Sequence, residues 1–598
     1  MATAPSTLRV DPITKVLGNF GKWQLSAMLI IFLCKVPTSW FMAIILFTAP
    51  APNPGDFWCT PPPELPTELV ADWIARAHPI KVDHHNRSKM DYCEVFTEFW
   101  ENPLKYFGPN HTTIVTKNLS TIKCTNYTFN PDYHSLVADF NLICGRELLL
   151  PLSQCFHIFG LLVGGIIAYF MLKYISPRNV MIMGVSAQII FGNLVGVVRI
   201  YEFHVLFRWL TAASCALMYT SGSMIFVDIT SGAAKTITSL VFEFFWSIGL
   251  ILLPIFSVFI EDWWNLYIAI SMPTICLIFL IKYLPDSPRW LLRHGRIEET
   301  RQILIDGGNK NKRRVPINLE ELLKSDYNTG AANPPEASWC SIWDGKPAKI
   351  YILAIHYAWS VYVLNFNCVV LNIRAYGRDH LSINTVAIGF SEILGVFVGI
   401  YFVLYTSRRW LWAGLCGIGC GILAYFTWLI PETLKESHVV ALEMAPTLAI
   451  KTATSIGMCV LMVCTVELVC AERKKILMFS STVWARAWFL WAPFIFVLKT
   501  YDVVLPLTIF ATLSVVGGVL MVFIHQNQYK AYLEDCEQRI QAMRAVRTIS
   551  NAGLDWIKSV RRSSVYDIEE VRRKSVYDAE ETRRKSIVND QEPNSQRM

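Results

Sequence analysis

The sequence predicts an all-α membrane protein of twelve transmembrane helices in two six-helix bundles. Three observations predict it. First, the chain is 53% hydrophobic and 17% charged, where a soluble protein carries nearer about 25% charge. Second, its apolar residues gather into twelve runs, each near the about 20 residues that a bilayer-crossing helix needs. Third, one charge pattern occurs twice. Asp228 ends an apolar segment and Lys235 follows seven residues later; Glu467 ends another, and Arg473 and Lys474 follow six and seven residues later. The two acids lie 239 residues apart, and a basic cluster recurs at nearly that offset, Arg178 in one half and Arg408 and Arg409 in the other. A duplicated six-helix unit with charges at matching ends is the construction of a secondary transporter.

Taken in order, residues 1–22 are an expected cytosolic N-terminus. They hold Arg9, Asp11, Pro12 and Lys15 and no apolar core, so no cleavable signal peptide is expected and the first span does the targeting. The first bundle runs over 23–284, with spans at 23–47, 148–170, 180–198, 204–227, 237–260 and 264–284. A linker over 285–349 mixes charges of both signs. The second bundle runs over 350–524, with spans at 350–372, 385–406, 410–430, 443–466, 476–498 and 502–524. A charged tail over 525–598 follows.

Lys and Arg in the short loops set the orientation. Lys173 and Arg178, Lys235, Arg408 and Arg409, and Arg473 to Lys475 all fall on one side, together with both termini. That side is expected to be cytosolic in a multi-pass protein of the plasma membrane. The long loop at 48–147 is then extracellular. It carries four N-x-S/T sequons, at Asn86, Asn110, Asn118 and Asn126. It also carries four cysteines, Cys59, Cys93, Cys124 and Cys144. In an oxidising compartment these form two disulfides, with three pairings open.

The tail repeats an eleven-residue unit, RRSSVYDIEEV, RRKSVYDAEET, RRKSIVND. Each copy sets two arginines before a serine, at Ser564, Ser575 and Ser586, which suits a basophilic kinase; each phosphate adds about −2 charge. An eleven-residue period also suits a solvated helix.

Ionisable residues inside a bilayer cost about 2.5–3.5 kcal/mol each on insertion scales, so they face a cavity or a partner. The candidates are Lys35, Glu243, Glu392, Lys451 and Arg486, with Glu243 and Lys451 nearer helix ends. One reading is internal neutralisation, with Glu392 paired to Arg486 or Lys35. The other is a central cavity offering a carboxylate for an ammonium and a guanidinium fork for a carboxylate. Aromatic residues flank these positions, among them Trp246, Trp359, Tyr362, Phe366 and Trp484, and aromatic faces bind ammonium groups.

The segments around these residues resemble the organic cation/carnitine/organic anion transporters of the major facilitator superfamily, over about residues 11–524. PDSPRWLLRHGRIEE (285–299) resembles the signature that follows helix 6 in that family, and FRWL (207–210) its helix-4 motif. Asp228 matches the acid after helix 4. Glu392, sixteen residues before Arg408, matches the helix-8 glutamate, and Lys451 and Glu467 keep the helix-10 spacing. Arg486 and Pro493 match the helix-11 motif, and LKTYDVVLP (498–506) is most similar to the carnitine branch. The chain departs from the family at GIIAYFMLKYISPRN (165–179), where an acid is missing, at ELVCA (467–471), at Tyr219 in place of a tryptophan, and at Lys35.

The resemblance implies a major facilitator fold and alternating access. It implies a substrate that is a small organic cation or zwitterion, carnitine-like, β-alanine-like or an amine conjugate. It implies substrate contacts at Glu392, Arg486, Tyr362 and Trp246; Lys35, Tyr219 and Lys451 are further candidate contacts from their places in the spans, with Lys35 a substrate or coupling residue or a fixed partner of Glu392. It implies a cytosolic gate of Asp228, Lys235, Glu467, Arg473, Lys474, Arg178, Arg408 and Arg409. A net-neutral substrate needs coupling to Na⁺ or H⁺, or exchange; no other cofactor is expected. The weakened motif after helix 2 favours a rival reading, a non-transporting sensor or scaffold. No metal-ligand cluster, phosphate loop or nucleophile elbow points to an enzyme, and nothing beyond the basic tail points to nucleic acid.

Overall fold

The protein, described from a computed structural model, is resolved for description over residues 11–82, 88–107, 119–328, 343, 346–373, 378, 380–406, 408–429, 436–467, 473–502 and 504–523. Asn86, Asn110, Asn118, Ser564, Ser575 and Ser586 lie outside the described residues.

The first half is built from α1 (Lys22–Thr48), α2 (Leu149–Met171), α3 (Pro177–Val197), α4 (Tyr201–Ile229), α5 (Gly232–Phe259) and α6 (Trp263–Ile281). The second is built from α7 (Lys346–Leu371), α8 (Leu381–Tyr405), α9 (Arg409–Phe426), α10 (Glu436–Glu467), α11 (Lys474–Phe489, continued by Ala492–Val497) and α12 (Leu505–Val522). Among the described residues, eleven helices are long and apolar enough to cross a membrane. The twelfth segment, α11, is interrupted around residues 490–491, just before Pro493 at the second position of its continuation. That ring has no N–H to join the preceding turn.

Within the first half α4 packs on α2 and α3; within the second α10 packs on α8 and α9, and α9 on α12. The halves meet along α5 with α8 and along α2 with α11. Aromatic pairs mark both seams: Phe244 and Phe397 with ring centroids 4.6 Å apart, Tyr169 and Phe479 with centroids 4.2 Å apart. Gly389 allows α8 to approach α5, since a Cβ there would stand 2.5 Å from the Ile251 side chain.

The loop after α1 is a small folded unit. It has three two-stranded antiparallel ladders, Phe57–Cys59 with Tyr127–Phe129, Ile80–Val82 with Ser88–Met90 and Glu94–Phe96 with Thr121–Lys123, and a buried cluster in which Trp73 joins Cys59, Val95 and Phe96. Cys59 bonds Cys124 and Cys93 bonds Cys144, resolving the three pairings left by spacing. Asn126, exposed, precedes the second of these strands. Trp263 of α6 donates to Asp139 at 2.8 Å, and Tyr133 donates to the Pro50 carbonyl at 2.8 Å, which anchor the unit to the first half. Arg378, between α7 and α8, reaches Asp56 of this unit at 3.6 Å and lies over the Tyr133 ring.

Candidate functional site

α1 is divided at Cys34, and Lys35 opens its second piece with only 7% of its surface exposed. Its ammonium pairs with Glu243 Oε1 at 3.1 Å. It also stands over three rings: Phe242 at 4.5 Å, Tyr219 at 5.0 Å and Trp246 at 5.8 Å to the centroids. Trp246 follows Phe242 by four residues and Glu243 by three, spacings that set it beside both on α5, and Tyr219 comes from α4. A carboxylate ringed by aromatic faces is the chemistry that holds an ammonium. Trp246 is buried, and its indole N–H has no partner among the described residues.

Arg486 approaches the same Tyr219 ring as Lys35, its guanidinium carbon 5.3 Å from the centroid. It is partly buried on α11 and donates from Nη1 to the Leu161 carbonyl of α2 at 3.2 Å. Among the described residues no carboxylate lies within ion-pair distance of it. Gly165 makes its room: a Cβ at that position would stand 2.5 Å from Arg486 Nη1. Gly165→Ala is therefore expected to push the guanidinium aside and raise the KM for a carboxylate-bearing substrate about tenfold, the scale of one weakened charge-assisted contact. Uptake kinetics at matched surface expression check it, and an unchanged KM would show that Arg486 makes no substrate contact.

Glu392 pairs with neither Lys35 nor Arg486, contrary to the first expectation. Its Oε2 lies 3.0 Å from the Lys451 ammonium, and both side chains are fully buried. Lys451 also donates to the Phe366 carbonyl at 2.9 Å. Glu243 acts electrostatically on both members of the pair. Lys35, Glu243, Glu392 and Lys451 thus form a balanced set of two cations and two anions, beside which Arg486 is in excess. Tyr362 is also sealed. It packs against Gly457 and donates to the Ala413 carbonyl, so its hydroxyl is engaged by its own half.

The residues expected to form a gate divide between the halves. Asp228 accepts from Ser287 Oγ at 2.6 Å, and its carbonyl accepts from Arg289 Nε at 2.7 Å. Arg289 goes on to Asp11 at 2.5 Å and Thr14 at 3.1 Å. The PDSPRW segment thereby ties the end of α4 to the N-terminal segment, inside one half. Arg178 donates its backbone N–H to Asp286 at 3.3 Å and its Nη2 to the Lys282 carbonyl at 3.0 Å, so the linker supplies the acid missing from the loop after α2. Lys235 lies within electrostatic reach of Asp228, Arg289 and, across the halves, Lys474. Arg473 caps the start of α11; Arg408, exposed, and Arg409 begin α9. Glu467 ends α10, and its side chain lies outside the described residues. In this structure Asp228 is thus bonded to the linker within the first half.

Sequence reasoning missed three things in this region. Glu243 reads as a helix-end charge, Phe242 carries no signal of its own, and Arg208 reads only as part of FRWL. Arg208 is almost wholly buried and is held by neutral acceptors, Ser153 at 2.7 Å and Gln154 at 2.8 Å. The signal for Glu243 was its spacing of three from Trp246.

Comparison with known proteins agrees with this architecture. Residues 118–534 match the family described as Sugar (and other) transporter. The chain is similar to an organic cation transporter protein of Drosophila melanogaster, 26% identical over 88% of this chain and 94% of the relative. It is also similar to an organic cation transporter-like protein of the same organism, 24% identical over 87% and 90%. Human solute carrier family 22 member 13 is 24% identical over 67% of this chain and 72% of its own. The fold is that of the xylose transporter XylE from E. coli in a partially occluded inward open conformation, with TM-score 0.55 and 13% identity over 84% of this chain and 98% of XylE. A duplicated twelve-helix bundle with buried charges on its central helices, matched across most of its length, makes this chain a multi-pass membrane transporter belonging to the sugar (and other) transporter family.

Proposed function

We propose that the chain is a plasma-membrane carrier, with both termini cytosolic, that moves a small zwitterionic organic cation by alternating access. The observation that carries this reading is the charge excess at Arg486. A guanidinium on the seam between the halves, without a carboxylate beside it among the described residues, calls for an acidic group on the cargo. The aromatic box with Glu243, which shares the Tyr219 ring with Arg486, is suited to the ammonium end of the same molecule. The relatives named as organic cation transporters support the cationic part of the assignment. Glu392 and Lys451 then serve the site indirectly, by fixing α8 against α10 and setting the local charge balance.

A zwitterion carries no net charge, so the membrane potential, about 2.3 kcal/mol per unit charge at 100 mV, does not concentrate it. Accumulation would need Na⁺, H⁺ or a counter-substrate. The test is uptake of radiolabelled carnitine, β-alanine and glycine betaine, each against its carboxamide, with and without Na⁺ and at two external pH values. Saturable uptake of an acid form, with its carboxamide at least about tenfold poorer, is expected for one lost charge-assisted contact. Equal handling of acid and amide by surface-expressed protein would remove the zwitterion from the reading.

A further inference from the structure

We infer that Lys35 stands in for the substrate's ammonium when the carrier is empty, and that this lets the unloaded protein reorient and so mediate net transport rather than exchange alone. The inference rests on the zwitterion reading and adds a role that the reading does not need.

The geometry is that of an occupied cation site. The Lys35 ammonium has Glu243 at 3.1 Å and three aromatic rings between 4.5 and 5.8 Å. Those are the groups a free ammonium would use. The two sides of the ion pair differ in access: the Lys35 side chain is 9% exposed and that of Glu243 is 22% exposed. Glu243 can thus be approached while its tethered partner is in place, and the Trp246 N–H in the same box is an unused donor among the described residues.

Alternating access requires the site to shut water out in passing between its two openings. A carboxylate closed off without a cation beside it is strongly disfavoured. A carrier whose box emptied with its cargo would therefore stall and return only with a second substrate molecule aboard. With Lys35 in the box, Glu243 keeps its partner and the empty site stays balanced. When a zwitterion enters, its ammonium takes the place at Glu243 and its carboxylate meets Arg486. Lys35 and Arg486 flank the same Tyr219 ring, at 5.0 and 5.3 Å, so the displaced lysine has the bound carboxylate as its new neighbour. The charge of the site is the same loaded or empty, and no proton or ion has to accompany the exchange of partners.

The test uses the full-length protein in proteoliposomes with carnitine, β-alanine or glycine betaine, whichever the unmodified protein takes up best. Two rates are measured: uptake into empty vesicles, and exchange into vesicles preloaded with the same compound. Their ratio does not depend on how much protein is active. In Lys35→Met, and independently in Lys35→Gln, the ratio of exchange to net uptake should rise at least about tenfold, because an unpaired Glu243 hinders the empty return. Lys35→Arg should keep the ratio of the unmodified protein. The double variant Lys35→Met/Glu243→Gln, which removes both charges, should bring the ratio back. Net uptake and exchange falling in parallel in the single variants, or no recovery in the double, would overturn the role of Lys35 while leaving the zwitterion reading intact. Failure of the unmodified protein to move any of the three compounds in either mode would overturn that reading and this inference with it.

Discussion

Lys451→Ala is expected to destabilise the folded protein by about 3–5 kcal/mol, the usual cost of leaving one member of a buried ion pair without its partner. Both side chains of the Glu392–Lys451 pair are fully buried and 3.0 Å apart. The ammonium also donates to the Phe366 carbonyl and lies 3.3 Å from the centre of the Phe366 ring, so it joins α10 to α7 as well as to α8. Removing it strands the Glu392 carboxylate beside a second acid, Glu243, with which it interacts. Glu392→Gln/Lys451→Met should recover most of the loss, because the two charges leave together and the remaining groups are neutral. A double-variant cycle of Glu392→Gln, Lys451→Met and the two together, followed by thermal unfolding in detergent, reads the coupling directly. Losses in Glu392→Gln and Lys451→Met that simply add in the double variant would show that the pair is not coupled, and that Glu392 has another partner.

Much of the fold was legible because a bilayer imposes simple rules. A span needs a certain length of apolar chain, and Lys173, Arg178, Lys235 and Arg408 crowd the ends of alternate spans. These features survive without knowledge of how any helix is turned about its axis. The interruption of α11 was less visible. Its first piece contains Arg486, Trp484 and Trp488, and the break falls just before Pro493 inside a stretch that still reads as apolar. Disulfide pairing was not legible at all, since spacing among Cys59, Cys93, Cys124 and Cys144 is compatible with each of three connections.

The site shows where one-dimensional reading fails. The ionisable residues inside the bundle are visible in the sequence, but their partners depend on helix rotation. Lys35 meets Glu243, 208 residues away, and Glu392 meets Lys451, 59 residues away. Glu243 looked like a helix-end charge because α5 was expected to start at residue 237. It starts at Gly232, which sets Glu243 eleven residues into the helix, about 16 Å along its axis at 1.5 Å per residue. Arg208 escaped notice for a different reason. Ser153 and Gln154 accept from its Nη1 and Nη2 without any acid, Nε having no partner among the described residues, and no charge pattern reveals such neutral partners.

Arg486→Asp is expected to invert the preference of the carrier between a zwitterion and the simple cation made from it. The substitution changes the local tally from one positive charge in excess, over the balanced set of Lys35, Glu243, Glu392 and Lys451, to one negative charge in excess. A carboxylate that met a guanidinium would then meet another carboxylate. The change in discrimination should be on the order of a hundredfold, about 2.7 kcal/mol, within the range seen when one partner of a buried charged contact is removed. The measurement is the ratio of kcat/KM for the acid form to that for its carboxamide, in the unmodified protein and in the variant. Because the amide carries net charge, its uptake by the variant should also become steeper with membrane potential, at up to about 2.3 kcal/mol per 100 mV, whereas uptake of the zwitterion by the unmodified protein should respond to its coupling gradient instead. A ratio that stays the same, with protein at the surface, would make Arg486 a bond to the Leu161 carbonyl and nothing more, a fixture of the seam between α2 and α11. The geometry argues otherwise: one acceptor at 3.2 Å occupies a single donor of a five-donor group, and the remaining donors on a partly buried arginine point to a partner that arrives and leaves.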